Sequence, residues 1–223
     1  MRLFSSIPSY LKPLFKTLQC RPNKLALYVE ALSHKSGKNA DTNYERLEFL
    51  GDAILSSIFA DYIYHHFPKE REGEMSKLRA RAVNRKTLNK LGIAIDIKDY
   101  MDCDPSLLKD ESSIPGNCME AIFGAIYLDK GYKKAYKIIL DLIKNHLELQ
   151  KILLEDTNFK SQLLEWGQKE KKEVKFNAKE KELHYFYIDC IIEGKKISKS
   201  EGNNKKKAEQ KAAELALKKL SLI

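Results

Sequence analysis

The sequence predicts an all-α domain followed by a small α+β domain with the element order α-β-β-β-α. Three observations support this fold class. Apolar residues recur at the helical period through the first 150 residues, and runs rich in β-forming residues occur only after Glu173. The length of 223 residues suits one medium domain and one small domain. We place the first domain at residues 1–150, a linker at 151–157 and the second domain at 158–223.

The first domain is organised around a helical segment, Asn43–Leu55, that is both apolar and acidic. Glu45, Glu48 and Asp52 fall at positions i, i+3 and i+7, so their carboxylates share one helix face. Carboxylates this close repel one another, and burying them is costly unless a positive group neutralises them. Mg²⁺ or Mn²⁺ would do so well, because both prefer carboxylate oxygens. The alternative is a solvated acidic face paired with basic neighbours, namely Lys35, Lys38 or Arg46.

A second apolar segment, Pro115–Asp129, predicts another buried helix that carries polar side chains. Asn117 and Glu120 are again at i and i+3, so two further oxygen-bearing side chains share a face. Gly124, with alanines on either side of it in the sequence, would let another helix approach closely. Two packed helices that both offer carboxylates to one pocket predict a Mg²⁺ site.

These two segments resemble known motifs. Glu45-Arg-Leu-Glu-Phe-Leu-Gly-Asp52 resembles the signature of the ribonuclease III family, and Glu120-Ala-Ile-Phe-Gly-Ala-Ile-Tyr-Leu-Asp129 resembles its second acidic motif. The resemblance implies an endoribonuclease that hydrolyses double-stranded RNA as a homodimer. It implies Mg²⁺, with Mn²⁺ as a substitute, and no small-molecule cofactor. The implied metal ligands are Glu48, Asp52, Asn117 and Glu120, with Asp52 and Glu120 in catalytic roles and Glu45 in a structural or dimer contact.

Position 117 departs from the family pattern. The family usually has Asp where this chain has Asn117. An amide keeps a carbonyl oxygen that can coordinate Mg²⁺ or a metal-bound water, but it brings no charge. Asn117 is also the one feature that favours a different class of function, a non-catalytic double-stranded RNA-binding protein with a relict nuclease fold.

A basic segment, Glu72–Arg85, follows the signature helix. Lys77, Arg81 and Arg85 fall at i, i+4 and i+8, which predicts that they line one helix face. A solvated basic face is the alternative on charge pattern alone. The segment also resembles the part of ribonuclease III enzymes that holds RNA, so we assign the three side chains to RNA binding.

The C-terminal part combines β-forming runs with a helix at each end, and the last of these helices is rich in lysine. We predict strands at Val174–Phe176, Tyr185–Ile192 and Lys195–Ser200, between helices at Asn158–Glu170 and Lys205–Leu220. Residues 195–223 hold nine Lys and three Glu, a net charge of +6, which suits a phosphate backbone. This α-β-β-β-α order, which ends in the basic segment Lys205–Ala213, resembles a double-stranded RNA-binding domain, and the resemblance implies RNA contacts by Glu165, Lys205 and Lys206. The chain departs from that family at Leu164, which replaces a polar residue, and in the loop at 179–184, which lacks the usual Gly-Pro and has its histidine displaced.

Composition narrows the function classes. The formal charge of +9 predicts a polyanionic partner, either nucleic acid or an anionic membrane surface. No apolar run approaches the roughly 20 residues of a membrane span, and the N-terminal segment is interrupted by prolines too early for a signal peptide. The four cysteines are scattered without metal-ligand spacing, which favours reduced thiols in a cytoplasmic protein. The resemblance to the ribonuclease III family implies a bacterial enzyme of the cytoplasm that processes ribosomal RNA precursors and structured messenger RNAs.

Overall fold

The computed structural model describes residues 7–38, 42–109, 112–154, 158–182 and 185–223, and it divides into two compact units at 1–155 and 156–223. The first unit is helical, as predicted. Its α-helices are α1 (Lys12–Thr17), α2 (Leu25–Ala31), α3 (Glu45–His66), α4 (Glu72–Ala82), α5 (Arg85–Ala94), α6 (Ile114–Lys130), α7 (Tyr132–His146) and α8 (Leu149–Leu154). Short 3-10 helices lie at Ser9–Leu11, Ile97–Tyr100 and Pro105–Leu107.

The core of the first unit is the crossing of α3 and α6. A Cβ atom added at Gly51 would lie 1.7 Å from the carbonyl oxygen of Glu120, and one added at Gly124 would lie 2.4 Å from that of Leu47. Both distances are shorter than any real Cβ contact, so the two backbones touch directly and only glycine fits at either position. The close approach predicted from Gly124 is confirmed, and it places the first two turns of α3 beside the first half of α6.

The predicted basic helix is two helices. The first, α4, ends at Ala82, and Asn84 then adopts an extended conformation with φ −72° and ψ 155°. The Asn84 side-chain oxygen accepts a hydrogen bond from the backbone N–H of Thr87 at 2.9 Å, which caps the N-terminus of α5. The break places Arg85 on a different helix from Lys77 and Arg81, so the prediction of one continuous basic face is wrong.

The last helix of the first unit is also divided. The pattern predicts one amphipathic helix from Lys133 to about Glu155, but α7 ends at His146 because Leu147 is extended, with φ −133° and ψ 149°. The chain then forms α8, in which Leu153 is fully buried in the core of the first unit. Residues 151–154, predicted as part of a linker, therefore belong to α8, and 155–157 lie outside the described residues.

The second unit has the predicted order of elements. It consists of α9 (Phe159–Lys169), β1 (Val174–Glu182), β2 (Tyr185–Ile192), β3 (Lys195–Gly202) and α10 (Lys205–Lys219). The strands form an antiparallel sheet in the order β1-β2-β3. The two-residue turn between β2 and β3 has positive φ at both residues, 49° at Glu193 and 73° at Gly194, as a type I′ turn requires.

The helices of the second unit pack on one face of this sheet. Leu163 of α9, Ile188 of β2 and Ala212 of α10 are fully buried in a common core. Two serine hydroxyls on β3 donate to carbonyl oxygens of α10: Ser198 to Ala212 at 2.6 Å and Ser200 to Ala208 at 2.5 Å. These bonds fix the position of α10 along the sheet.

The first strand is longer than predicted. It runs to Glu182, so most of the interval 179–184, predicted as a loop, is strand paired with β2. Lys179 lies opposite Tyr187 in this ladder. Leu183 and the displaced histidine, His184, lie outside the described residues.

Candidate active site

The first two turns of α3 carry three carboxylates, of which one is tied to a basic neighbour. Glu45 forms an ion pair with Lys35 at 3.3 Å between Nζ and Oε1, and both side chains are more than half exposed. This matches the solvated alternative for the acidic face, but for Glu45 alone. A dimer contact by Glu45 stays a prediction.

The other acids form an electrostatically coupled cluster across the α3–α6 crossing. Burial raises the pKa of Glu120 to about 7, and the nearby carboxylates of Asp52 and Glu48 contribute to the rise, while Arg85 acts in the opposite direction. Burial also raises the pKa of Glu48, with Glu45 and Asp52 adding to the rise. The two helices therefore bring three carboxylates close enough that Asp52 and Glu48 disfavour the charged form of Glu120.

A basic side chain accompanies this cluster. Arg85, the first residue of α5, lowers the pKa of both Glu48 and Glu120 against the larger effect of burial. Its guanidinium is therefore on the same side of the unit as the carboxylates. The sequence predicts Arg85 as one of three cations in a row on one helix; the structure places it beside the acids instead.

Asn117 stands at the start of α6 and contacts a tyrosine that the sequence analysis missed. The Tyr44 side chain is buried, which raises the pKa of its hydroxyl, and a hydrogen bond with the Asn117 side chain opposes that rise. Tyr44 is held by its own backbone N–H, which donates to the Ser33 carbonyl at 2.9 Å, and by a ring contact with His34. The only sequence signal for Tyr44 is its place directly before the signature motif.

The donor set suits a hard divalent cation. Glu48 and Glu120 offer carboxylate oxygens from partly buried side chains, and Asp52 offers them from an exposed one. Burial is the main cause of the raised pKa values of Glu48 and Glu120, nearby carboxylates add to both, and a cation would favour the charged forms. Among the described residues, however, no three His, Cys, Asp or Glu side chains already converge into a metal-binding group. The residues thus fit Mg²⁺ by donor type and charge, and the side chains are not gathered into a closed ligand shell.

The two other predicted cations of the basic segment differ in environment. Arg81 is only 18% exposed at its side chain; its Nη1 donates to the carbonyl oxygen of Leu153 in α8 at 2.8 Å, and its Nη2 lies 3.6 Å from Glu74. Arg81 therefore ties α4 to α8. Lys77 is exposed on α4.

The predicted RNA contacts of the second unit are all exposed. Glu165 lies on the outer side of α9, beside Leu164, which is 36% exposed. Lys205 and Lys206 occupy the first turn of α10, whose N-terminus is capped by Asn204 through a 3.0 Å hydrogen bond from the Lys207 N–H. Exposed lysines at a helix N-terminus form a favourable surface for phosphate groups.

Another carboxylate of the second motif has a structural position. The Asp129 side chain is completely buried and accepts hydrogen bonds from the Tyr28 hydroxyl at 3.0 Å and from the backbone N–H groups of Asn23 and Lys24 at 3.0 and 2.9 Å. Burial would raise the pKa of Asp129, but these donors and Lys130 hold it below its ordinary value. Asp129 thus fixes the start of α2 and lies apart from the acidic cluster.

Comparison with known proteins shows which families the two units resemble. Residues 24–147 match the family model described as Ribonuclease-III-like, and residues 159–220 match the double-stranded RNA binding motif. The curated protein Ribonuclease 3 of Bacteroides thetaiotaomicron is 38% identical over 92% of this chain and 70% of its own length. Ribonuclease 3 of Zunongwangia profunda is 37% identical over 93% of this chain and 90% of its own length.

Solved structures resemble the first unit. A crystal structure of the nuclease domain of Ribonuclease III from Campylobacter jejuni is 37% identical, with a TM-score of 0.58, and the match covers 62% of this chain and 96% of that one. A second structure of the same domain, with a TM-score of 0.58, is described as showing flexibility in a region involved in dimer formation. In the described part of this chain, no helix has the length and apolar character needed to cross a membrane.

Proposed function

This chain belongs to the ribonuclease III family of double-stranded-RNA-specific endoribonucleases, and on that premise we propose that it hydrolyses RNA phosphodiester bonds at the acidic cluster of Glu48, Asp52 and Glu120. The observation that carries the assignment to these residues is their electrostatic coupling across the α3–α6 crossing. Burial and neighbouring carboxylates raise the pKa of both Glu48 and Glu120, and pKa values perturbed in this way are concentrated at functional sites.

The proposed cofactor is Mg²⁺, held by Glu48, Asp52, Asn117 and Glu120. When bound, Mg²⁺ supplies a nucleophile by lowering the pKa of water and neutralises the charge that develops on the leaving oxygen. Mn²⁺ has similar ligand preferences and would serve the same residues.

Each side chain in this proposal has a distinct task. Glu120 must give up its proton before it can act as a cation ligand, since its pKa is near 7 in the protein alone. Asp52 and Glu48 supply the negative charge on the opposite helix. Arg85 offsets part of that charge, which lets an RNA phosphate approach a site that would otherwise repel it.

The second unit would hold the substrate. Its match to the double-stranded RNA binding motif supports RNA duplex as the ligand, and Lys205 and Lys206 at the start of α10 would neutralise phosphates. Glu165 of α9 would contact the minor groove, and Lys77 of α4 would support RNA bound to the first unit. Arg81 is a weaker RNA-binding candidate than the sequence indicates, because α8 and Glu74 already occupy its guanidinium.

We further propose that the enzyme works as a homodimer in the bacterial cytoplasm on ribosomal RNA precursors and structured messenger RNAs. Phe49 follows Glu48 directly on the signature helix and is 81% exposed. Covering this side chain with a second copy would remove a large apolar surface from water, which would favour the dimer. The Campylobacter jejuni nuclease domain, which resembles this unit, is described in terms of dimer formation.

The test is a cleavage assay with purified protein and a long RNA duplex, with and without Mg²⁺. We expect fragments of the duplex in Mg²⁺ and intact RNA in chelator, while single-stranded RNA of the same sequence stays uncut. Glu120→Gln should bind the duplex with wild-type affinity and lose most cleavage, because the variant keeps the shape of the side chain and removes its charge.

The competing function is binding of duplex RNA without cleavage, which Asn117 alone favours. Tight binding by the wild-type protein with no cleavage in Mg²⁺ or Mn²⁺ would support that function and exclude ours. Cleavage by Glu120→Gln at the wild-type rate would leave the enzyme assignment in place and move the active site elsewhere.

A further inference from the structure

The start of α6 is held by a side chain from α5 that lies outside the acidic motifs. The Asn89 side-chain oxygen accepts a hydrogen bond from the backbone N–H of Gly116 at 2.8 Å. Its amide nitrogen donates to the carbonyl oxygen of Ser112 at 2.9 Å. One side chain therefore binds the chain on both sides of the point where α6 begins, and Gly116 is the residue directly before Asn117.

The contact between Asn89 and Gly116 is close. A Cβ added at Gly116 would lie 2.6 Å from the Asn89 side-chain oxygen, so a larger residue at 116 would displace the Asn89 side chain from this position. Gly92, one turn of α5 further on, lies against Pro115, where an added Cβ would be 3.0 Å from the proline Cβ. The first turn of α6 is therefore pressed against α5 at two places, and Asn89 provides the hydrogen bonds at one of them.

The helix that carries Asn89 is itself fixed at its start. The Asn84 side-chain oxygen accepts a hydrogen bond from the backbone N–H of Thr87 at 2.9 Å. Asn89 lies one turn after Arg85, so both residues project from the same face of α5. That face of α5 therefore contacts α6 through the bond from Asn89 to Gly116, and it carries Arg85, which acts on the carboxylates of Glu48 and Glu120.

We propose that Asn89 is a positioning residue for the reaction: by binding Ser112 and Gly116 it fixes the direction in which α6 presents Asn117 and Glu120 to Glu48 and Asp52. The inference rests on the proposed function, since it assigns Asn89 to the same site. A metal site that requires convergence of ligands from two helices depends on how each helix is oriented. Asn89 sets that orientation for α6 without touching RNA or the reacting atoms.

The test compares three variants of the full chain. Asn89→Leu has nearly the same shape and removes both hydrogen bonds; Asn89→Asp keeps an acceptor for Gly116 and loses the donor to Ser112. Thr87→Val is the control, because it removes a part-buried hydrogen bond of the same helix, donated at 3.0 Å by the Thr87 hydroxyl to the Arg81 carbonyl oxygen in α4 and not to α6. Circular dichroism and thermal unfolding establish that each variant folds.

The first measurement needs neither metal nor RNA. Hydrogen exchange of the metal-free protein should show faster exchange of the Gly116 amide in Asn89→Leu, by about fivefold for the loss of a hydrogen bond of ordinary strength. Asn89→Asp should exchange at close to the wild-type rate at Gly116. Unchanged exchange at Gly116 in Asn89→Leu would overturn the inference, whatever the outcome of the cleavage assay.

The second measurement is a Mg²⁺ titration of cleavage. Loss of a residue that orients metal ligands lowers affinity about 10- to 100-fold, and we expect Asn89→Leu to raise the half-maximal Mg²⁺ concentration by about tenfold. Asn89→Asp should lie between Asn89→Leu and wild type, and Thr87→Val should keep the wild-type titration despite its lower stability. Equal shifts for Asn89→Leu and Thr87→Val would mean that Asn89 acts only through stability, which contradicts the proposal. Failure of the wild-type protein to cleave would count against the proposed function. The exchange measurement would still show whether Asn89 holds the Gly116 amide.

Discussion

Glu120 shows how burial and charge combine at one residue. Its carboxylate is half-buried beside Asp52 and Glu48, and together these effects raise its pKa to about 7 from an ordinary value of 4.5. Without a cation, the folded protein therefore retains a proton at Glu120 that the unfolded chain has already released. The folded state binds more protons between those two pKa values, so folding stability depends on pH there.

We predict that the unfolding free energy of the metal-free protein contains a contribution from Glu120 that is fully present below about pH 4.5 and is lost as the pH rises through about 7. Glu120→Gln cannot ionise at this position, so its unfolding free energy should not show this decrease as the pH rises. The measurement is urea unfolding in chelator from about pH 5 to about pH 8. Glu148→Gln, at a carboxylate 77% exposed, is the control and should follow the wild-type profile. Parallel profiles for wild type and Glu120→Gln would contradict the prediction.

Asn117 combines a proposed metal contact with a contact to Tyr44. We predict that Asn117→Asp remains active and lowers the Mg²⁺ concentration for half-maximal cleavage, because it adds negative charge with little change in shape. Asn117→Ala removes the oxygen and should raise that concentration. The same Mg²⁺ titration measures both variants.

Tyr44→Phe separates the two contacts of Asn117, since it removes the hydroxyl partner and leaves the amide in place. We expect Tyr44→Phe to titrate like wild type. If Asn117→Ala matches wild type across the titration, Asn117 is no metal ligand; if Tyr44→Phe reproduces the defect of Asn117→Ala, the hydrogen bond to Tyr44 explains the defect.

Local spacing determines some of the groupings in the candidate site. Positions i, i+3 and i+7 on one helix necessarily share a side, so the grouping of Glu48 with Asp52 followed from the sequence. Arg81 and Asn89 could not be assigned in this way. Their partners, Leu153 and Gly116, lie 72 and 27 residues away in the chain, and no periodicity predicts such contacts.

At the scale of whole elements, the α3–α6 crossing determines whether the site can form. Direct contact between the two backbones depends on Gly51 and Gly124, and an added methyl group has no space at either. A Cβ at Gly73 of α4, by contrast, would have no atom within 4 Å. Substitution by alanine should therefore lower the stability of the protein at Gly51 and raise it at Gly73.

We predict that Gly51→Ala destabilises the protein by about 3 kcal/mol or more, since the helices must move apart to accommodate the methyl group. Gly73→Ala should stabilise it by about 0.5–1 kcal/mol, because alanine is the better helix former at an exposed position. Urea unfolding of both variants measures the difference. A loss below about 1 kcal/mol for Gly51→Ala would show that the crossing is looser than its glycines indicate.

Two helix boundaries were wrong in the sequence-based prediction, and they share a physical reason. Neither break, after Ala82 or after His146, contains proline or glycine, so the usual signals for a helix end are absent. Asn84 instead stops one helix and caps the next, and Leu153 draws α8 into the core. Tertiary packing here overrides a continuous helical pattern.

At the scale of the whole molecule, the two units divide the proposed work between chemistry and RNA binding. Residues 1–155 hold all the members of the acidic cluster, and residues 156–223 hold Lys205 and Lys206. We predict that a protein ending at Glu155 stays folded and dimeric but binds duplex RNA more weakly. Its affinity should also depend less steeply on salt, because fewer phosphates are neutralised.

The measurement is RNA binding at several salt concentrations for the full chain and the shortened protein. The full chain with Lys205→Gln and Lys206→Gln is the matched control. Its plot of log binding constant against log salt concentration should have a slope smaller in magnitude by roughly two, because each phosphate that a lysine no longer neutralises removes about 0.9 from the slope. Equal affinities and equal slopes for the full and shortened chains would remove the RNA-binding role from residues 156–223.

Assembly offers a further prediction at this scale. If a second copy covers Phe49, Phe49→Ser should shift the protein from dimer toward monomer, since burying such a side chain contributes about 1.5–3 kcal/mol in each copy. Tyr64→Ser, at a side chain of α3 that is 66% exposed near the other end of the helix, is the control. Sedimentation analysis measures the shift, and a change of equal size in both variants would contradict a specific contact at Phe49.

The backbone contact between α3 and α6 has a consequence for any attempt to redesign the ion preference of the proposed metal site. Where side chains separate two helices, larger or smaller residues can alter the spacing between them, but no side chain stands between Gly51 and the carbonyl of Glu120. Calcium requires ligand distances of about 2.3–2.6 Å against about 2.0–2.1 Å for magnesium. Helix repacking cannot provide the difference here, so selection for an ion of another radius has to alter the lengths of the acidic side chains themselves.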